Sequence, residues 1–286
     1  MDLHLRAARA AIGVVLVAST LGCGDDPGDS PGEGDCRDAP PERLEATVIE
    51  ELPHDPDAFT QGLAFGSDGE LFESTGLEGA STVNRLDPST GEVLQSAPLE
   101  EDLFGEGLAI DAEGELVQLT WTEGRALRWD PSTLEPLGEH TYSGEGWGLT
   151  LVDPETFAMS DGSSSITLRD VEGFAERDRV TVRRVESDGS SPVEVDRLNE
   201  LEWDGEHLWA NRWQTDEILR IDLDCGRVDG VLDAGALRDR AAEVASATGR
   251  SDMDVLNGIA IGEDGGMLLT GKRWPLMFRV EVTEGG

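Results

Sequence analysis

The chain has 286 residues, enough for one large domain or two small ones, and 38% of them are hydrophobic, so a packed core is expected. Its formal net charge of −38 repels polyphosphates and anionic lipid headgroups alike, which sets aside nucleic acid and a charged membrane face as partners. The acidic residues are dispersed rather than massed in a tail, so most of them read as solvated surface.

Residues 1–23 have the layout of an export signal. Arg6 and Arg9 start it, an apolar run over residues 10–21 is too short for a permanent span, and small residues lead to Cys23. Gly22 before Cys23 is similar to a bacterial lipoprotein signal, in which the cysteine takes the lipid, although Thr20 stands where leucine is usual. The expectations are export, a lipid anchor at Cys23 as the one contact with a membrane, and a cell-envelope location on the periplasmic or surface side. Residues 24–41, rich in Gly, Asp and Pro, read as a flexible tether. Cys36 in the tether and Cys225 far downstream remain, and in an exported protein such a pair invites a disulfide. Residues 42–286 are left as the folded domain.

Five stretches of that domain echo one another: QGLAFGSDGELFESTG from Gln61, EGLAIDAEGELVQLTW from Glu106, WGLTLVDPETFAMSDG from Trp147, NELEWDGEHLWANRW from Asn199 and NGIAIGEDGGMLLTGKRW from Asn257. Each has a small-apolar start, an acidic or glycine turn and a second alternating apolar run, which is strand, tight turn, strand. The segments between them add two more strands around a DPST turn. Four short antiparallel strands per unit, repeated roughly every 40 to 60 residues, predict an all-β fold, a five-bladed β-propeller. LEATVIEEL (residues 44–52) and LMFRVEVT (residues 276–283) alternate as strands at the two ends. Pairing them in one sheet closes the ring and removes the long edges an open ring would leave. Residues 235–249, rich in Ala, Leu, Arg and Glu, predict one short helical insertion between the fourth and fifth units.

In a propeller the first strand of each blade lines the axis. The leading residues Gln61, Glu106, Trp147, Asn199 and Asn257 should therefore stand at equivalent places around it, with Thr75, Trp121, Asp161, Trp213 and Lys272 at the ends of the partner strands. A purely structural repeat would carry interchangeable small or apolar residues there. This one carries amides, a carboxylate, tryptophans and Lys272, the only lysine of a chain with 21 arginines. Side chains converging from several units make a ligand site.

Glu106 is the single carboxylate among the leading residues. Near tryptophans it is partly desolvated, its pKa rises, and it suits general acid and base chemistry, although a lone Glu in a hairpin entry is more often plain surface. Trp121, Trp147 and Trp213 either wall a pocket or pack between blades. Gln61, Asn199 and Asn257 either orient an amide or carbonyl or cap turns. Lys272 can polarise a carbonyl oxygen or hold a carboxylate, a task for a compact ammonium rather than a planar guanidinium. His4, His54, His140 and His207 are scattered, no Ser-His-Asp set can be assembled, and no metal-ligand spacing stands out.

At these residues the chain resembles a known family. FTQGL (residues 59–63), ESTG, FGEGL (104–108), LTW (119–121), GWGLT (146–150), SDGS, LNELE with ANRW (210–213), LNGIA (256–260) and TGKRWP (270–275), in this order, look like the glutaminyl-peptide cyclotransferases of plant and bacterial type. The resemblance runs over residues 53–278 and implies a five-bladed propeller, in agreement with the repeat count. It implies cyclisation of N-terminal glutamine to pyroglutamate with loss of ammonia, peptides or proteins with such an end as partners, and no cofactor. By the same resemblance Glu106 is the proton carrier with Lys272 beside it, and Phe59, Gln61, Phe104, Trp121, Trp147, Asn199 and Trp213 form the substrate pocket. Asn257 and Asp161 stand at its margin. Two alternatives come from other classes: a metal-dependent propeller hydrolase of lactonase type, and a non-catalytic binding propeller at the cell surface.

Overall fold

Tight turns built on Asp and Gly close antiparallel hairpins along the whole domain. In the DPST turns, Oδ1 of Asp87 accepts N–H bonds from Ser89 and Thr90, and Oδ1 of Asp130 accepts them from Ser132 and Thr133, the local bonding that suits Asp to turns. The computed structural model describes residues 39–285 except Gly189 and Glu263. The expected export signal with Cys23, and most of the tether with Cys36, lie outside the described residues. Among those described, no helix is long and apolar enough to cross a membrane.

After β1 (Glu42–Pro53) the strands fall into blades. Blade one is β2 (Thr60–Phe65), β3 (Leu71–Thr75), β4 (Thr82–Leu86) and β5 (Val93–Pro98). Blade two is β6 (Gly105–Ile110), β7 (Leu116–Thr120), β8 (Arg125–Trp129) and β9 (Pro136–Thr141). Blade three is β10 (Leu149–Asp153), β11 (Thr156–Ser160), β12 (Ser165–Asp170) and β13 (Glu176–Thr181). A two-residue hairpin, β14 (Arg183–Arg184) with β15 (Val193–Glu194), precedes blade four: β16 (Leu198–Trp203), β17 (Leu208–Arg212), β18 (Glu217–Asp222) and β19 (Arg227–Asp233). The expected insertion is α1 (Gly235–Ala247), and β20 (Leu256–Ile261), β21 (Met267–Gly271) and β22 (Leu276–Glu284) follow.

Blade five takes its fourth strand from the other end of the chain. β1 runs antiparallel to β22, from Leu44 opposite Glu284 to Pro53 opposite Leu276. It also pairs in parallel with β19 of blade four through Glu42, Arg43 and Leu44. The two terminal strands thus close the ring as their sequence pattern predicts. The first strands complete the circle inside: β2 packs on β6 and β20, β10 on β6 and β16, and β16 on β20. The protein is a five-bladed β-propeller.

The core is divided into slices between blade faces. Leu52, Leu63, Leu71, Ala260, Leu268 and Met277 fill the slice between blades five and one. Phe72, Leu108, Leu116 and Trp129 fill that between one and two. α1 packs Leu237 and Ala241 into the slice between blades four and five. Glycine sets how closely the inner strands approach. A Cβ on Gly148 would lie 2.1 Å from the Asn199 carbonyl oxygen, and one on Gly62 would lie 2.4 Å from the Leu108 nitrogen.

Each inner strand has one edge with no neighbour, facing the axis. Blade four supplies acceptors for those N–H groups. Glu200 accepts from Leu63 N at 3.3 Å and Ile259 N at 2.9 Å. Glu202 accepts from Ile261 N at 3.1 Å and from the Thr150 hydroxyl at 3.2 Å. Burial pushes Glu202 up to about 8 and raises Glu200 well above the usual range, with Glu202 adding to the latter. Two carboxyls of blade four thus stand at the axis, both held above the ordinary carboxylate range by desolvation.

Candidate active site

The repeat does more than bring five strand starts together. In four blades the pairing of the first two strands shifts register where the leading polar residue sits: between Thr60 and Gly62, Gly105 and Leu108, Leu198 and Leu201, and Leu256 and Ile259. A bulge turns its extra residue out of the pleat. Here it re-aims Gln61, Glu106, Asn199 and Asn257 at one end of the axis. In blade three, Trp147 lies just ahead of β10, with its N–H bonded to Ser160 O at 3.1 Å. A second repeated device braces the bulges from the preceding blade. The Ser74 hydroxyl donates to the Glu106 carbonyl oxygen, and the Ser160 hydroxyl to that of Asn199.

The result is a cavity of about 420 Å³ lined by Phe59, Gln61, Phe104, Glu106, Trp121, Trp147, Asn199, Trp213 and Lys272, together with Gln214, Asp254 and Val255. Its aromatic wall packs edge to face: Phe59 on Phe104 with centroids 6.3 Å apart, Phe104 on Trp121 at 5.7 Å, and Trp147 on Trp213 at 5.5 Å. The indole N–H groups of Trp121 and Trp147 both donate to Oε2 of Glu145, at 2.8 and 3.0 Å, so one carboxylate splints two walls. Trp121 is 40% exposed and stands at the mouth.

Glu106 is 6% exposed and accepts a bond from Gln61 Nε2 at 3.1 Å. Burial raises its pKa well above the ordinary carboxylate range. The charges of Glu123 and Glu145 push the same way, and that of Lys272 opposes them. Lys272 is 5% exposed, with Nζ 4.9 Å from the centroid of the Phe59 ring. Burial lowers its pKa against the pull of Glu106 and Asp254. Burial thus moves the carboxyl up and the ammonium down within one cavity. The backbone of Lys272 is tied on both sides, its N–H to Val255 O and its carbonyl to Asp254 N, each at 2.9 Å. Asn199 lines the cavity, and its Oδ1 is buried without a hydrogen-bond partner.

Nine residues expected at the pocket line this one cavity, and Glu106 and Lys272 share it. Two residues at the margin do not line it. Asp161 Oδ1 is occupied in a turn by the N–H of Ser163. Asn257 lies behind Gln61, bonded to the Thr60 carbonyl oxygen. The sequence reading missed Gln214, Asp254 and Val255, which neighbour singled-out positions, and Glu145, whose role depends on a fold-back between blades. Among the described residues no three of His, Cys, Asp and Glu gather as a metal-binding group. Cys225 lies in the turn between β18 and β19.

A propeller with titratable and amide side chains converging beneath aromatic walls at one end of its axis is built as an enzyme rather than a scaffold. The glutamine cyclotransferase family model matches residues 25–282, and the chain belongs to that family. It is 36% identical over 244 residues to a glutaminyl-peptide cyclotransferase of Arabidopsis thaliana, covering 84% of this chain and 72% of that protein. The crystal structure of Myxococcus xanthus glutaminyl cyclase superposes with a TM-score of 0.75 at 38% identity, over 86% of this chain and 100% of that one.

Proposed function

We propose that the protein cyclises the N-terminal glutamine of peptides or proteins to pyroglutamate and releases ammonia, with Glu106 as the proton carrier. The observation that carries the reading is the placement of Glu106: a buried carboxyl of raised pKa in an aromatic-walled cavity that also holds Lys272 and the Asn199 amide.

The α-amine nitrogen of the substrate attacks the carbon of its own γ-carboxamide. As the new C–N bond forms, the amine gives a proton to ionised Glu106. Negative charge collects on the former amide oxygen, where the Lys272 ammonium is placed to meet it. Glu106 then returns the proton to the amide nitrogen, the old C–N bond breaks, and ammonia leaves. The products are a five-membered lactam and ammonia, with Glu106 back in its starting state. The aromatic walls hold the glutamine side chain folded toward its own amine and keep water out, so the intramolecular attack is favoured over hydrolysis. Asn199, on the cavity lining, orients the substrate amine or carboxamide through its side-chain amide.

The test is incubation with a Gln-initiated peptide beside its N-acetylated form. Ammonia should appear in step with the loss of one ammonia mass from the free peptide alone. Intact mass for every Gln-initiated peptide at millimolar concentration would refute the activity. Lys272→Arg should lower kcat roughly tenfold or more with the fold intact, because a planar, bulkier guanidinium cannot take the place of an ammonium set over the Phe59 ring. Wild-type kinetics in that variant would return Lys272 to a packing role.

A further inference from the structure

Asn257 is fully buried and lines no part of the cavity, yet it decides which way Gln61 faces. The Thr60 carbonyl oxygen can only accept, so the Asn257 atom 3.0 Å from it must be the amide nitrogen. The same nitrogen lies 3.4 Å from the side-chain amide of Gln61 and can only donate, so it selects the Gln61 oxygen. The NH₂ of Gln61 is thereby turned to Glu106, with Nε2 3.1 Å from Oε1. Were Gln61 reversed, its oxygen would face the carboxylate and its NH₂ would face another NH₂. Both contacts are repulsive.

The anchor of this chain is rigid. Asn257 sits in the bulge at the start of β20. The next residue, Gly258, has φ +119 and gives its N–H to Asn211 Oδ1 at 2.9 Å. A Cβ there would meet Thr270 at 2.9 Å and Thr60 at 3.3 Å, so no side chain fits without movement. Orientation passes from a backbone carbonyl of blade one to Asn257 of blade five, back to Gln61, and on to Glu106 of blade two.

We propose that Asn257 is a positioning residue for the cyclisation: through Gln61 it holds one oxygen of Glu106 and leaves the other to take the substrate proton. The inference rests on Glu106 being the proton carrier. A bond from Gln61 favours the ionised carboxylate, so the relay partly offsets burial and keeps Glu106 able to accept a proton. The other charged groups acting on Glu106 are Lys272 of blade five and Glu123 and Glu145 in the loops of blades two and three, with the Tyr142 phenol also in its field. None of them is altered when residue 257 is changed.

The experiment is the pH profile of kcat/KM for a Gln-initiated peptide in Asn257→Leu, Gln61→Leu and the double variant. Each single variant should move the acid limb upward by about one pH unit, the equivalent of one lost charge-assisted bond. The double variant should lose no more than Gln61→Leu does, because Asn257 acts only through Gln61. Asn257→Thr carries the same test should the leucine variant not fold, since its hydroxyl keeps a donor for Thr60 while losing Gln61. An unmoved limb, or losses that add in the double variant, would show Asn257 to be structural only. A wild type that cyclises nothing removes the proton-carrier reading and the relay together. An active wild type with unmoved limbs in the variants removes the relay alone.

Discussion

Glu106→Gln should lower kcat roughly a thousandfold, within the range general acid–base groups contribute, while the protein melts no lower than wild type. Glutamine has the shape of the carboxyl and keeps an oxygen for the Gln61 N–H, so the floor of the cavity stays closed. It removes a group that burial already disfavours in its charged form, and this removal costs the fold nothing. What disappears is the capacity to take a proton and give it back. The raised pKa also sets the pH dependence of the wild type. In the proposed mechanism turnover needs ionised Glu106, so activity should fall on the acid side at a pH above the usual carboxylate range. Steady-state ammonia release across pH, paired with thermal melts, checks both statements. Near-normal turnover in Glu106→Gln would hand the proton to another group, and unchanged peptide affinity with no turnover in either protein would favour a binding propeller.

The ring itself could be read in one dimension because each blade is local. Strand, turn and strand lie within about 15 residues, and short apolar runs such as Leu116 to Thr120 or Met267 to Thr270 are visible without partners. The leading residues were readable for the same reason: a repeat shows its exceptions. What could not be read is what the bulges do with those residues. Gln61 and Asn257 occupy equivalent places, yet one faces the cavity and the other faces its neighbour's back. Glu200 is one residue past Asn199 in an acidic chain and looks like surface, but it reaches across the axis to the N–H groups of Leu63 and Ile259. Glu145 looks like a loop carboxylate and holds two indoles. Each of these roles depends on contacts between blades, and sequence spacing carries no information about which atoms meet there.

His54→Leu should destabilise the protein by about 3–5 kcal/mol, a fall in melting temperature on the order of 10 °C for a domain of this size, and should reduce turnover as well. His54 follows β1, the strand that closes the ring, and both of its ring nitrogens meet acceptors: Nδ1 the Trp274 carbonyl at 2.7 Å and Nε2 the Glu73 carboxylate at 2.8 Å. A carbonyl can only accept, so Nδ1 carries a proton; with Glu73 ionised, Nε2 donates to it as well and the ring is an imidazolium. Burial opposes its charge, but Glu73 and the Trp274 carbonyl outweigh burial and hold its pKa above the usual value. Burial opposes Glu73 in turn, and His54, Thr60 and Asn84 hold its pKa below. The contribution of Glu73 is therefore present above its unfolded value of about 4.5 and is lost as pH falls through its lower folded one. That of His54 is present below its unfolded value of about 6.5 and is lost as pH rises through its higher folded one. The stability gap between wild type and variant should be widest between those two values and narrow on either side. The double variant His54→Leu/Glu73→Leu should regain much of the loss, since no buried charge is then left alone. The link to turnover runs through Trp274, two residues beyond Lys272: the histidine holds its carbonyl, and its indole N–H holds Asp254 O at 2.9 Å. Melts of wild type, single and double variants from acid to alkaline pH decide the matter. A gap that does not change with pH would mean that the pair is buried uncharged, and the closing strand would then owe its hold on the Lys272 segment to packing alone.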